Sequence, residues 1–129
     1  MPIPQFNEYG LLPSGIFSCD EKEILERYCL SNINRNQIWK LFKQFLLIPK
    51  PFSLPDHIFI DGGFTSDKPI TSDIDIVMDI SHLDRFSAYT AIGWWSAQRQ
   101  NFKVDFKVDL WLKHNLIQNN LIEFFQYVK

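Results

Sequence analysis

Seven aspartates and no glutamate fall between Asp56 and Asp84, and Lys68 is the only lysine or arginine among them. Two of these acids, Asp73 and Asp75, lie in the run Asp-Ile-Asp-Ile-Val-Met-Asp-Ile, whose opening alternation of acid and apolar residue reads as a strand. Residues two apart on a strand leave the same sheet face, here ~6.6 Å apart at ~3.3 Å per residue. Two carboxylates pointing one way without an adjacent cation repel each other, and a positive charge between them removes that cost. Magnesium is the simplest such charge, since it takes oxygen ligands from one or two carboxylates and fills its remaining positions with water and substrate phosphate. A pair of ions ~3.5–4 Å apart would both activate an attacking oxygen and stabilise a leaving one.

A third carboxylate is expected from a neighbouring strand. Lys103 to Leu112 alternates between apolar and polar residues, placing Asp105 and Asp109 on one polar face. These two lie ~13 Å apart along a strand, so only one can reach the same metals, and Asp109 is the preferred candidate. Taken alone, this run also reads as an edge strand with alternating charges. Gly62-Gly63 lies between the two acidic regions and the first predicted strand. Glycine there lets backbone N–H groups approach a phosphate closely, and a helical turn starting near Thr65 would aim its positive end at the same place. Thr65, Ser66 and Lys68 join the glycines as candidate nucleotide-binding residues, and Lys103 and Lys107 are further cations within reach of a triphosphate.

The elements that must position these groups follow from periodicity and caps. Residues 1–17 contain three prolines and two glycines, the composition of an extended arm, so residues 18–129 form the domain proper. Ser18 with Glu21 predicts a capped short helix to about Leu30. Asn34 with Gln37 predicts a second cap, ahead of Ile38, Leu41, Phe42, Phe45 and Leu46 at helical spacing, and Pro49 and Pro51 end that helix. His57 to Ile60 predicts a strand. Ser81 or Asp84 caps a helix whose stripe is Leu83, Phe86, Tyr89, Ile92 and Trp95, with Gly93 a weak point. A closing helix from about Asn120 carries Leu121, Phe124, Phe125 and Val128. The order α-α-β-β-α-β-α implies an α+β fold, a small mixed sheet of about three to five strands packed with helices.

Composition sets the outer limits. The chain has 129 residues, 46% hydrophobic and 22% charged, enough for one core. A net charge of −2 argues against a general nucleic-acid coat or a polybasic membrane binder. No apolar run approaches the roughly 20 residues of a membrane span, and the first residues lack a signal-peptide pattern, so a cytoplasmic protein is expected. Cys19 and Cys29 bracket a helix and read as reduced thiols. His57, His82 and His114 sit singly and read as structural or exposed. Of the adjacent Trp94 and Trp95, one is expected in the core, preferably Trp95, and the other at a groove; Trp111 could stack on a base. The Phe124-Phe125-Gln-Tyr127 ending suggests an aromatic patch for a partner.

Ile60-Asp61-Gly62-Gly63-Phe64 followed by Ser72-Asp73-Ile74-Asp75-Ile76-Val77 resembles the glycine-turn and Asp-x-Asp signature of the DNA polymerase beta-like nucleotidyltransferase superfamily, in particular its minimal single-domain members. Gly10-Leu11-Leu12-Pro13-Ser14-Gly15-Ile16 and the helical pair after it resemble a small bacterial and phage branch of that superfamily. The resemblance implies that Gly62 and Gly63 hold the triphosphate of an NTP such as ATP, and that Asp73 and Asp75 bind two Mg2+ ions. It implies Asp109, or else Asp105, as the third catalytic carboxylate. The implied reaction moves a nucleoside monophosphate from an NTP to a hydroxyl on a partner protein or tRNA, in a toxin–antitoxin or phage-defence setting. The superfamily's second small residue is often serine. Gly63 in its place leaves Thr65 or Ser66 to supply a hydroxyl, or leaves a catalytically degenerate fold that acts as a protein-binding module.

Overall fold

The computed structural model describes residues 3–10, 12, 19–30, 32–55, 58–66 and 68–115. The expected Ser18 cap, the Pro13 to Ile16 patch, His57, and the closing helix with its Phe124, Phe125 and Tyr127 patch lie outside them.

Asp20 caps the first helix, α1 (Glu21–Ile24), in a reciprocal box with Glu23, and the chain continues as a π-helical turn over Leu25–Cys29. The reciprocal pair thus lies two residues beyond the expected Ser18–Glu21 box. α2 spans Ile33–Leu47 and is capped by Asn32, whose side chain accepts from the Arg35 N–H. Asn34 therefore stands inside the helix, and its side chain is spent elsewhere. β1 (Ile58–Asp61) runs into a 3-10 turn over Gly62–Thr65, and β2 spans Ile74–Asp79. α3 (Arg85–Phe106) begins at the Asp84 cap and β3 covers Val108–Lys113.

The predicted strand from Lys103 is thus corrected at its front: Lys103 to Phe106 are the last turn of α3. Lys107 ends that helix at φ 58°, a left-handed cap filled here without glycine. Asp105 goes with the helix and is exposed. The predicted stripe of α3 is corrected too. Ala88, Ala91 and Phe102 face the core, while Phe86 and Tyr89 are 82% and 55% exposed. Small residues let the helix lie close to its neighbours, and Gly93 passes without a break.

The sheet is mixed, in the order β1-β2-β3, with β1 antiparallel and β3 parallel to β2. Parallel neighbours need a crossover, and α3 provides it. Ile74, Ile76 and Met78 of β2 and Val108, Leu110 and Leu112 of β3 are fully buried against Trp39, Phe42 and Phe45 of α2 and Ala91 and Phe102 of α3. Because strand side chains alternate, Asp75 and Asp109 lie on the opposite face. Trp94 packs edge-on against Phe52 and tilted against Phe102, and Trp95 donates its indole N–H to the Leu110 carbonyl at 2.5 Å. Both tryptophans thus pack against the core cluster, rather than one of them alone. Cys19 is exposed, Cys29 is buried, and both are free thiols. His82 is exposed, while His114 is buried with Nε2 3.0 Å from the Leu83 carbonyl oxygen. No helix among the described residues is long and apolar enough to cross a membrane.

Candidate metal centre

Sheet register builds the site. Asp61 pairs with Asp75 across β1 and β2, and Asp75 with Asp109 across β2 and β3, so three aspartates stand in one row. Asp73 stands one residue before β2, and its neighbour Ile74 donates to the Lys107 carbonyl at the mouth of β3. One carboxylate oxygen each from Asp73, Asp75 and Asp109 lies within 4.8 Å of the others. The three preferred acids of the sequence come together, and Asp105 does not join them.

The three are not equivalent. Asp109 has cations beside it: Arg99 Nη2 at 3.4 Å and Lys103 Nζ at 4.0 Å. The Arg99 guanidinium carbon lies 3.8 Å from the centre of the Trp111 ring. This contact occupies one face of the indole considered for base stacking. Burial raises the Asp73 carboxyl above its usual range and the Asp109 charge adds to the rise, while Lys103 and Lys107 oppose it. Asp75 has no such relief. Burial pushes its carboxyl up to about 7, and Asp73, Asp109 and Asp61 all push in the same direction, helped by a carboxyl–carboxyl hydrogen bond with Asp109. A divalent cation at this corner would supply the charge Asp75 lacks. One oxygen from each of the three carboxylates stands close enough to the others for a single cation to be shared among them. The donor set, three carboxylates and no nitrogen or sulfur, suits a hard cation.

Gly62 is dictated by this corner. Its φ is +78°, and a Cβ there would stand 1.8 Å from Asp75 Oδ2. The Asp61 side chain accepts from the Gly62 N–H at 2.7 Å, fixing the entry to the turn. Gly63 is under no such constraint. A Cβ on it would meet Lys68 Cδ at 3.5 Å, Thr71 Cγ2 at 3.6 Å and Lys68 Nζ at 3.9 Å, all ordinary contacts. The Lys68 ammonium therefore lies close to Gly63. The Thr65 and Ser66 hydroxyls donate to the Gly62 and Gly63 carbonyls at 3.1 and 2.7 Å, closing the turn on itself.

Several positioning residues escaped the sequence reading. Arg35, 3% exposed, donates to the carbonyls of Phe64, Ser66 and Lys68. Asn34 brackets the Thr71 backbone, accepting from its N–H at 2.8 Å and donating to its carbonyl at 3.1 Å, and Asn32 donates to the Pro69 carbonyl. The first turn of α2 thus moulds the whole loop from Phe64 to Thr71. Polar residues at both ends of a cap pattern were the available signal, but long-range partners cannot be read from spacing. Asp61 was visible in the Asp-Gly-Gly sequence, and only the register revealed its place beside Asp75.

The chain belongs to DUF6932, a family of unknown function, whose model matches residues 4–129. No curated protein and no solved structure matches it.

Proposed function

We propose that this member of DUF6932 is a magnesium-dependent nucleotidyltransferase that moves a nucleoside monophosphate from an NTP to a hydroxyl acceptor on a protein or tRNA. The observation that supports the reading best is the convergence of Asp73, Asp75 and Asp109 beside a glycine turn that carries a lysine. In this reading Asp73, Asp75 and Asp109 hold the metal, which supplies charge stabilisation for the attacking and leaving oxygens when bound. The Gly62-Gly63 turn and Lys68 hold the triphosphate so that its α-phosphorus faces the acids. The acceptor oxygen bonds to that phosphorus, the bond to the β-phosphate oxygen breaks, pyrophosphate leaves, and the hydroxyl proton passes to a carboxylate of the cluster. A cognate toxin or antitoxin is one setting for such an acceptor.

A second reading, a degenerate fold that docks a protein, is favoured by one detail. Gly63 brings no hydroxyl, and those of Thr65 and Ser66 are engaged with turn carbonyls. One experiment separates the two. Incubation with labelled ATP, CTP, GTP or UTP, magnesium and a lysate should label an acceptor, and Asp73→Ala with Asp75→Ala should abolish the label. Labelling that survives the double substitution contradicts the mechanism, and absence of labelling by the unaltered protein favours docking.

A further inference from the structure

Arg99, in the second half of α3, reaches across to β3, where its Nη2 donates to Asp109 Oδ1 at 3.4 Å. Lys103, one turn further on, stands 4.0 Å from Oδ2, beyond hydrogen-bonding reach, so that oxygen is left to the acid cluster. The guanidinium is built into its place. Its carbon lies 3.8 Å from the centre of the Trp111 ring and 5.6 Å from that of Trp95, and the two rings stand 6.1 Å apart, tilted by 50°. Trp95 is pinned in turn, because its N–H donates to the carbonyl of Leu110, the residue between Asp109 and Trp111. Asp109 and Trp111 are two apart on β3 and leave the sheet on one face, so a cation stacked on the indole arrives beside the carboxylate. The Arg99 Nε–H is buried with no hydrogen-bond partner among the described residues. A buried donor left unmade is costly, so contact with the rings, and not hydrogen bonding alone, fixes this pose.

We propose that Arg99 is a positioning residue for the metal centre: held by the Trp95 and Trp111 rings, it keeps the Asp109 carboxylate turned so that its second oxygen faces Asp73 and Asp75. The inference rests on the metal-binding reading above and adds to it a residue that touches neither metal nor nucleotide. Carboxylates that ligate metals are commonly fixed by such outer hydrogen bonds, and losing one weakens metal binding about ten- to hundredfold. A second role for Arg99, as a mere counter-charge to Asp109, makes the opposite prediction. A cation beside a divalent ion repels it, so removing the arginine would on charge alone tighten metal binding. The sign of the change therefore separates positioning from charge compensation.

Calorimetric titration of magnesium into the full chain tests this, with Arg99→Met, Trp111→Leu and Trp111→Phe beside the unaltered protein. Arg99→Met should weaken binding about tenfold at unchanged stoichiometry. Trp111→Leu takes the ring from beside the guanidinium and should weaken binding in the same direction, whereas Trp111→Phe keeps a ring and should keep most of the affinity. Loss of fold lowers the stoichiometry rather than the affinity, and if Arg99→Met unfolds, the two Trp111 variants decide. Affinity that is unchanged or tighter in folded Arg99→Met overturns the proposal. So does Trp111→Leu binding as tightly as the unaltered protein, or Trp111→Phe losing as much as Trp111→Leu. No magnesium binding by the unaltered protein overturns the metal reading itself, and the role of Arg99 falls with it. Binding by the unaltered protein that the variants leave intact overturns the role of Arg99 alone.

Discussion

The two sides of the glycine-turn loop handle buried charge in opposite ways. On the α2 side, Arg35 is almost wholly enclosed, yet three backbone carbonyls accept from it and the loop is moulded around it. On the sheet side, Asp75 is enclosed among Asp61, Asp73 and Asp109, and acids account for every neighbouring charge that perturbs it. The first arrangement is complete within the chain. The second is electrostatically incomplete and carries a standing cost that an added cation removes. Strongly perturbed carboxylates of this kind cluster at functional sites, which is why the acidic corner carries the proposed function.

Each side can be broken alone. Arg35→Met should cause the largest loss, about 3 kcal/mol or more in denaturant unfolding, because it strands buried carbonyls and uncouples α2 from the loop. Gly62→Ala comes next, at about 2 kcal/mol, since an alanine at φ +78° is strained and its Cβ collides with the Asp75 carboxylate. Gly63→Ser, one residue along, should change stability by less than about 0.5 kcal/mol, because its Cβ meets only ordinary contacts. An equal cost at the two glycines would mean that the turn, and not the approach of Asp75, sets the constraint.

The pH dependence sharpens the same contrast. The Asp75 carboxyl stands at about 7 in the folded chain against 3.8 for an unperturbed group. The folded state therefore binds the extra proton, so this group's stabilisation is full below about pH 4 and is lost as pH rises towards about 7. Metal-free protein should melt at progressively lower temperature across that window. Asp75→Asn should flatten the trend, and a melting temperature that stays level in the unaltered protein would remove the argument that this corner is strained.

How much of this was legible in the sequence depended on range. Asp73, Asp75 and Asp109 were legible because the acids cluster and the strands alternate, and local alternation is a short-range signal. Asp105 was misplaced for the same reason: alternation continues through Lys103 to Phe106, but these residues close a helix. Lys107, a left-handed cap without glycine, gave no sign of the boundary. The caps slipped by two residues because Ser18 competes with Asp20, and Asn34 with Asn32, within one turn of chain. Arg35 looked like any surface arginine on a polar helix face. Its three carbonyl partners lie 29 to 33 residues away, and nothing in the spacing announces them. The row formed by Asp61, Asp75 and Asp109 is likewise a property of sheet register, which is settled by the whole core.

The central claim is that Asp73, Asp75 and Asp109 together hold a divalent cation. Titrating magnesium into metal-free protein at neutral pH, followed by calorimetry and by the melting temperature, tests it most directly. Saturable binding and a rise of several degrees are expected, both lost in Asp75→Asn and both weaker below pH 5, where the Asp75 carboxyl is protonated. Absence of saturable binding, or binding that Asp75→Asn leaves intact, would contradict it.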